Sequence, residues 1–168
     1  NYFCLVNQFS KIALILFTIA VIFFSCRKPP EFPIEPEIVF KDFVVTGDSA
    51  TITISFTDGD GDIGLRDSDT TGNFSSDKKT HYNLYLEYFE QEDGTFVKRD
   101  LFVPFYYRVP YITQESKNKA LEGDISVVIS PSYYATNALD SFKYSIQLVD
   151  RELHESNVVE TPILIKPN

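Results

Sequence analysis

A period of two in the hydrophobic residues constrains the fold of this chain more than any other feature. From residue 38 onward, apolar and polar side chains alternate in short runs, which is the pattern of β-strands with one buried and one solvated face. The run containing Ile52, Ile54 and Phe56 shows it clearly, because threonine and serine fill the intervening positions. No window after residue 38 shows the 3.6-residue period of an amphipathic helix. The sequence therefore predicts an all-β domain.

The number and spacing of the alternating runs predict the architecture. About seven short strands in one domain are typical of an antiparallel sandwich of the immunoglobulin or fibronectin-III type. Prolines in two of the runs indicate edge positions, because proline cannot donate to a sheet ladder. The predicted strands are 51–57, 82–88, 95–103, 104–112 (edge), 125–129, 141–149 and 159–165 (edge).

The first residues of the chain have the composition of a targeting segment. Lys11 precedes an uncharged apolar run over residues 12–24, followed by Ser25 and Cys26. This run is shorter than the roughly 20 apolar residues that span a bilayer, so it predicts a signal peptide. The ending Phe23-Phe24-Ser25-Cys26 resembles a bacterial lipobox, which implies cleavage after residue 25 and lipidation of Cys26. The alternative is an ordinary signal anchor with an incidental cysteine.

Composition sets the domain boundaries and excludes one class of partner. Four prolines in residues 27–37 predict an extended tether over 26–37, followed by a sandwich domain over 38–168. Cys4 and Cys26 are the only cysteines, so the mature domain would contain no disulfide. The formal net charge of −9 repels phosphate backbones and excludes nucleic acid as a partner. The same acidity suits a domain that recruits cations, or one that is simply kept soluble.

A glycine-rich acidic segment follows the first predicted strand. Asp58, Asp60 and Asp62 alternate with glycines, and Ca²⁺ is bound by just such closely spaced carboxylates. An EF-hand is excluded, because its sixth and twelfth positions require Gly and Glu, and Ile63 and Asp69 stand there. The alternative is a polar turn, since aspartate and glycine form turns without any ion.

Strand order predicts a fourth ligand. In a sandwich of this type, strands 51–57 and 141–149 correspond to strands B and F, whose exits lie at the same end. Asp150 follows the second of these strands, so the sequence predicts a two-loop Ca²⁺ site formed by Asp58, Asp60, Asp62 and Asp150. Asn157 is a further candidate ligand. The intervening loop, residues 58–80, is long and carries Asp67, Asp69 and Asp77 as possible additional ligands.

The remaining motifs favour binding over catalysis. The chain has no nucleophile elbow, P-loop or cysteine–histidine pair, and His81 and His154 are too far apart in sequence to suggest zinc. His154, in the acidic loop after strand 141–149, is predicted to be a surface residue rather than a ligand. A hydrolase using a carboxylate pair is a remote alternative, so the prediction is a protein that is not an enzyme. An aromatic group offers a possible glycan-binding surface: Phe102, Phe105, Tyr106, Tyr107 and Tyr111.

Four segments together carry a family resemblance. They are FFSC, FTDGDGDIGL, LEGDISVVI and YSIQLVDRELHESNVVETPILI, and with them the chain resembles small Bacteroidota lipoproteins with a single immunoglobulin-like domain. The resemblance implies a lipid-anchored location in the cell envelope and brings no catalytic residues with it. Arg27 and Lys28 stand where surface-exported lipoproteins of this group often carry acidic residues, which favours the periplasmic face of the outer membrane.

These observations define the expected function. The chain is expected to be a non-enzymatic envelope lipoprotein, held to the membrane through lipid on Cys26. Its calcium-stabilised sandwich would serve as a structural or protein-interaction module of an outer-membrane complex. The alternative is an accessory lipoprotein that binds surface glycans through the aromatic residues.

Overall fold

The computed structural model describes residues 31–112, 119–130, 132–134 and 140–166. The predicted signal peptide 1–25 and Cys26 lie outside these ranges. The compact unit that holds the described residues begins at Glu31. Within them, no helix has the length and apolar character needed to cross a bilayer.

Nine strands and two short 3₁₀ helices make up the regular structure of the described residues. The 3₁₀ helices, Gly72–Phe74 and Lys79–His81, lie in the long loop after the second strand. The strands are β1 (Glu37–Thr46), β2 (Ser49–Asp58), β3 (Leu84–Glu92), β4 (Thr95–Lys98), β5 (Phe105–Tyr107), β6 (Leu121–Ile129), β7 (Ser141–Leu148), β8 (Val159–Glu160) and β9 (Leu164–Ile165).

The strands form two antiparallel sheets that share one core. One sheet has the order β1-β2-β6, and the other has the order β4-β3-β7-β8, with β5 also paired to β3 and β9 to β7. Alternate residues of β2 and β7 face inward, as the period of two requires. Among the largest fully buried side chains are Tyr88, Phe142 and Tyr144. The predicted all-β class is confirmed.

Three of the predicted strands are shorter than the sequence pattern suggested, and β1 was not among the predicted strands. The strand predicted over 159–165 pairs only at Val159–Glu160 and Leu164–Ile165. The strand predicted over 95–103 ends at Lys98, and the edge strand predicted over 104–112 pairs only at Phe105–Tyr107. Pro104 separates the two, and it has no N–H for a ladder. Phe102 and Val103, apolar residues that the pattern assigned to a strand, are exposed. Alternation alone therefore overestimated the paired length here.

The segment before β1 lies on the domain. Pro36 is buried, and the backbone N–H of Gly59 donates to the carbonyl oxygen of Pro33 over 2.7 Å. Residues 31–36 were predicted as part of an extended tether over 26–37. Of that tether, residues 26–30 lie outside the described residues.

Candidate metal centre

The two outer members of the predicted site continue the inward alternation of their strands. Asp58 is the last residue of β2 and occupies the same face as Ile54 and Phe56, which are in the core. Asp150 lies two residues beyond Leu148, the last inward residue of β7. Both aspartates are 0% exposed. The strand pattern therefore places two carboxylates at one end of the core, one from each sheet.

The structure brings all four predicted ligands together. One carboxylate oxygen from each of Asp58, Asp60, Asp62 and Asp150 lies within 4.8 Å of the other three. Ca²⁺ binds oxygen at about 2.3–2.6 Å, so ligands on opposite sides of the ion are about 4.6–5.2 Å apart. The four carboxylates are thus spaced closely enough to bind one ion of this size.

Hydrogen bonds satisfy only part of this cluster. Asp58 Oδ2 accepts from the Asp62 backbone N–H over 3.0 Å, and Asp62 Oδ2 accepts from the Glu152 backbone N–H over 3.0 Å. The Oδ1 atoms of Asp58, Asp60 and Asp62 are buried and have no hydrogen-bond partner in the described part of the chain. Buried polar atoms almost always have a partner, so three such oxygens in one place make this cluster the candidate site for a cation.

The electrostatic environment of the cluster disfavours ionised carboxyls. Burial, followed by repulsion from Asp60, raises the pKa of Asp58 to about 7. Burial and repulsion from Asp150 raise the pKa of Asp62 to about 6. Within the described ranges, no lysine or arginine forms an ion pair with any of the four. His154 lies against Asp150, and a cation would compensate the other three carboxylates.

Glycine conformations and buried anchors shape the loop that carries three of the carboxylates. Gly61 has a φ of 70°, which lets the chain turn between Asp60 and Asp62. Ile63 is fully buried, and Leu65 exchanges hydrogen bonds with the backbone of residues 109 and 111, with N···O distances of 2.8 and 3.1 Å. These contacts fix the backbone just after the acidic segment. Residues 58–62 therefore connect two fixed positions, the end of β2 and Leu65.

An ion pair forms a second connection between the two site loops. Arg151 Nη2 donates to Asp69 Oδ2 over 3.0 Å, and both side chains are largely buried. The guanidinium carbons of Arg66 and Arg151 lie over the Tyr111 ring, at 4.4 and 5.3 Å from its centroid. Asp69 was considered as a possible ligand, but its carboxylate is engaged with Arg151. The pair instead holds the loop after β2 against the loop after β7.

Two further residues near the site were missed as possible ligands. Asp60, Glu152 and His154 form a second group whose ligand atoms lie within 4.8 Å of one another. The sequence analysis treated His154 as a surface residue; its Nδ1 lies 2.8 Å from Asp150 Oδ2. This hydrogen bond raises the pKa of His154. The four-residue spacing of Asp150 and His154 was the available signal, but it becomes a contact only because Leu153 adopts a φ of 72°.

A scan against protein-family models, a search of curated proteins and a search of solved structures find no match to this chain.

The chemistry of the donor atoms restricts the ions that the cluster could hold. The four central ligands are all carboxylates, and hard oxygen donors suit Ca²⁺, Mg²⁺ or Mn²⁺ rather than the soft-ligand metals. His154 adds one nitrogen at the edge, already bonded to Asp150.

Other candidate ligands lie outside the cluster. Asn157 was a candidate, but its side chain pairs with the backbone of Ile38: Ile38 N–H donates to Oδ1 over 2.7 Å, and Nδ2 donates to the Ile38 carbonyl over 2.9 Å. Asp77 accepts from the Ser75 hydroxyl, and Asp67 is exposed. Asn157 therefore joins β1 to the segment after β7, and its side chain is not part of the carboxylate cluster.

This placement of Asn157 predicts how its removal acts. Asn157→Ala should lower the free energy of unfolding by about 2 kcal/mol, because it leaves the N–H and C=O of buried Ile38 without partners. Urea midpoints would show the same loss in Ca²⁺ and in EDTA, since Asn157 is not a ligand. Asn157→Asp keeps the acceptor and loses the donor, so its free energy of unfolding should lie between those of the unmodified protein and Asn157→Ala. A loss of stability seen only in Ca²⁺ would instead indicate that Asn157 is a metal ligand.

The aromatic residues 102–111 do not form one exposed surface. Phe105 packs against the core, and Tyr106 and Tyr107 are half-buried, with hydroxyls bonded to Glu87 and to the Val128 carbonyl. The Tyr111 ring is in contact with two arginines. Phe102 is fully exposed.

Proposed function

We propose that this protein is a non-enzymatic, calcium-binding β-domain of the cell envelope, anchored by lipid on Cys26. One observation carries the ion assignment: Asp58 is completely buried, yet one of its carboxylate oxygens has no partner among the described residues. Burying a carboxylate without compensation is too unfavourable to be retained for solubility or as a plain turn. A bound cation accounts for it.

Calcium fits the cluster better than magnesium. Magnesium requires near-ideal octahedral geometry at about 2.0–2.1 Å and keeps several of its waters, whereas Ca²⁺ accepts six to eight irregularly placed oxygens. Four carboxylates on two loops, three of them within a five-residue segment, offer many oxygens in an irregular arrangement. The ion would join the loop after β2 to the loop after β7 and so stiffen one end of the domain.

The sheet orders support an immunoglobulin-type sandwich. In that topology strands A, B and E form one sheet, while C, F and G form the other. The order β1-β2-β6 corresponds to A-B-E, and β4-β3-β7-β8 corresponds to an added strand followed by C-F-G. Asp58 then follows strand B and Asp150 follows strand F, as the two-loop site requires.

A structural or protein-binding role suits this site better than catalysis. A surface cavity of about 230 Å³ lies away from the carboxylates, lined by β3 and residues 99–106. The carboxylates point at one another inside the domain, where a substrate would have to displace the ion. We place the protein at the periplasmic face of the outer membrane, as a module that contacts another envelope protein. A glycan-binding role has less support, because the described aromatics 105–107 and 111 are engaged within the domain.

Thermal unfolding with and without the ion tests this function. Ca²⁺ at about one hundred times its dissociation constant should stabilise the purified protein by about 2.7 kcal/mol relative to EDTA, because it binds only the folded state. For a domain of this size the midpoint should rise by about 10 °C.

Two controls separate a specific site from general charge screening. Mg²⁺ at the same concentration should shift the midpoint much less, and Asp60→Asn should remove most of the Ca²⁺ shift. As a matched variant, Asp77→Asn removes an aspartate from the same long loop but outside the cluster, and should retain the shift. Equal midpoints in Ca²⁺ and EDTA for the unmodified protein would reject the calcium site.

A further inference from the structure

The contact between the metal loop and the segment before β1 has a consequence for how the domain is tethered. We propose that ion binding at the metal centre locks residues 31–36 onto the domain and that ion loss releases them. This coupling rests on the calcium site proposed above. It would make the free length of the tether depend on calcium.

Gly59 is the point of contact, and it lies between two of the ligands. Its N–H donates to the Pro33 carbonyl over 2.7 Å. A Cβ built on Gly59 would lie 2.3 Å from the Phe32 carbonyl oxygen and 2.5 Å from that of Pro33. Real Cβ atoms do not approach oxygen so closely, so the two backbones meet in a way that only glycine permits. Any movement of the Asp58–Asp60 backbone therefore moves the surface on which residues 32 and 33 lie.

The segment makes few other hydrogen bonds to the domain, and of residues 31–35 only Phe32 is half-buried. Pro33 and Pro36 cannot donate hydrogen bonds, and Pro33, Ile34 and Glu35 are exposed. Among the described residues, no other backbone hydrogen bond joins residues 31–36 to the rest of the domain. Burial of Pro36 fixes the end next to β1, while the position of residues 31–35 depends on the Gly59 contact.

The ion controls the conformation of Gly59 through its neighbours. With the ion bound, the carboxylates of Asp58 and Asp60 are drawn to a common centre, and the peptide between them is fixed. Without it, like charges within a few ångströms repel one another, and the loop relieves the repulsion by opening. Opening turns the Gly59 N–H away from Pro33. Because coupling is reciprocal, docking of the segment must in turn strengthen ion binding by the same factor.

The effect on reach is considerable in a lipid-anchored protein. An extended chain covers at most about 3.3–3.6 Å per residue, so release of residues 31–36 would lengthen the tether by up to about 20 Å. Calcium would hold the domain close to the membrane, and chelation would let it reach further.

A single tryptophan tests the coupling. The chain contains no tryptophan, so Phe32→Trp provides a unique fluorescent reporter within the segment. In the full-length protein, Ca²⁺ should lower the acrylamide quenching constant of this tryptophan several-fold relative to EDTA. Adding Gly59→Ala, whose Cβ displaces the segment, should leave quenching high in both conditions. The same change should weaken Ca²⁺ affinity, measured by calorimetric titration, by about fivefold or more, as is typical of coupled sites.

The outcomes separate the coupling from the calcium site itself. If Phe32→Trp protein binds Ca²⁺ by calorimetry but its quenching does not change, the coupling is wrong and the calcium site stands. If calorimetry detects no Ca²⁺ binding to this variant or to the unmodified protein, both are wrong. The comparison does not need Gly59→Ala to fold, because the single-tryptophan protein supplies both measurements.

Discussion

In EDTA, the protein should become less stable as the pH rises from 5 to 7.5. The pKa of Asp58 is raised from 3.8 to about 7, and that of Asp62 to about 6, chiefly by burial. At pH values between 3.8 and these raised pKa values, the folded protein binds more protons than the unfolded chain. The free energy of unfolding therefore falls as the pH increases. The loss measured from urea midpoints should be at most about 4 kcal/mol, since each pH unit changes the contribution of one such carboxyl by about 1.4 kcal/mol and the two pKa values lie about two units and one unit above pH 5.

Other groups near the site do not oppose this trend. The pKa of His154 is raised by its bond to Asp150, so its contribution is present at low pH and is also lost as the pH rises. Excess Ca²⁺ should flatten the profile, because the ion takes the place of the protons, and the gap between Ca²⁺ and EDTA should be widest at pH 7.5. Asp77→Asn, outside the cluster, should leave the slope in EDTA unchanged. A profile in EDTA that is level or rising over this range would contradict the account.

The period of two was sufficient to predict the all-β class and the inward positions of Asp58 and Asp150. Alternation from Ile52 through Phe56 places Asp58 on the inner face, and alternation from Phe142 through Leu148 does the same for Asp150. Once the two strands are assigned to opposite sheets with the same direction, the meeting of their exits follows. Local pattern and topology together were therefore enough to bring Asp58 and Asp150 to one end of the core.

Contacts between distant segments could not be read from the pattern. Asn157 has the chemistry of a ligand, and only the position of β1, 119 residues earlier in the chain, shows that it pairs with Ile38. The Gly59–Pro33 contact is of the same kind. A glycine in an acidic turn is already explained by the turn, so the sequence does not indicate that another backbone segment packs against it.

Strand ends and loop conformations were also beyond the sequence. The run after Thr95 alternates through Val103, yet pairing stops at Lys98, because a solvated edge tolerates apolar residues without a ladder. His154 reaches Asp150 through a leucine at positive φ, a conformation that non-glycine residues rarely adopt. No propensity predicts such a turn, so the histidine was assigned to the surface.

Replacing Asp58 by asparagine should have effects of opposite sign in the two conditions. Asparagine has the same shape, and its oxygen can still accept from the Asp62 N–H, but it removes a buried charge. At pH 7.5 in EDTA, Asp58→Asn should be more stable than the unmodified protein by about 2 kcal/mol, allowing for partial relaxation of the ionised site. In saturating Ca²⁺ it should be less stable by about 2 kcal/mol, because the unmodified protein gains about 4 kcal/mol at one thousand times its dissociation constant and the variant gains little.

The free energies of unfolding of these two proteins, in EDTA and in saturating Ca²⁺ at pH 7.5, test the central claim most directly. We expect the order of stability to reverse between the two conditions, with Asp58→Asn the more stable in EDTA and the unmodified protein the more stable in Ca²⁺. A buried aspartate that serves only the fold would make the variant less stable by the same amount in both. That result would contradict a cation site at Asp58, Asp60, Asp62 and Asp150.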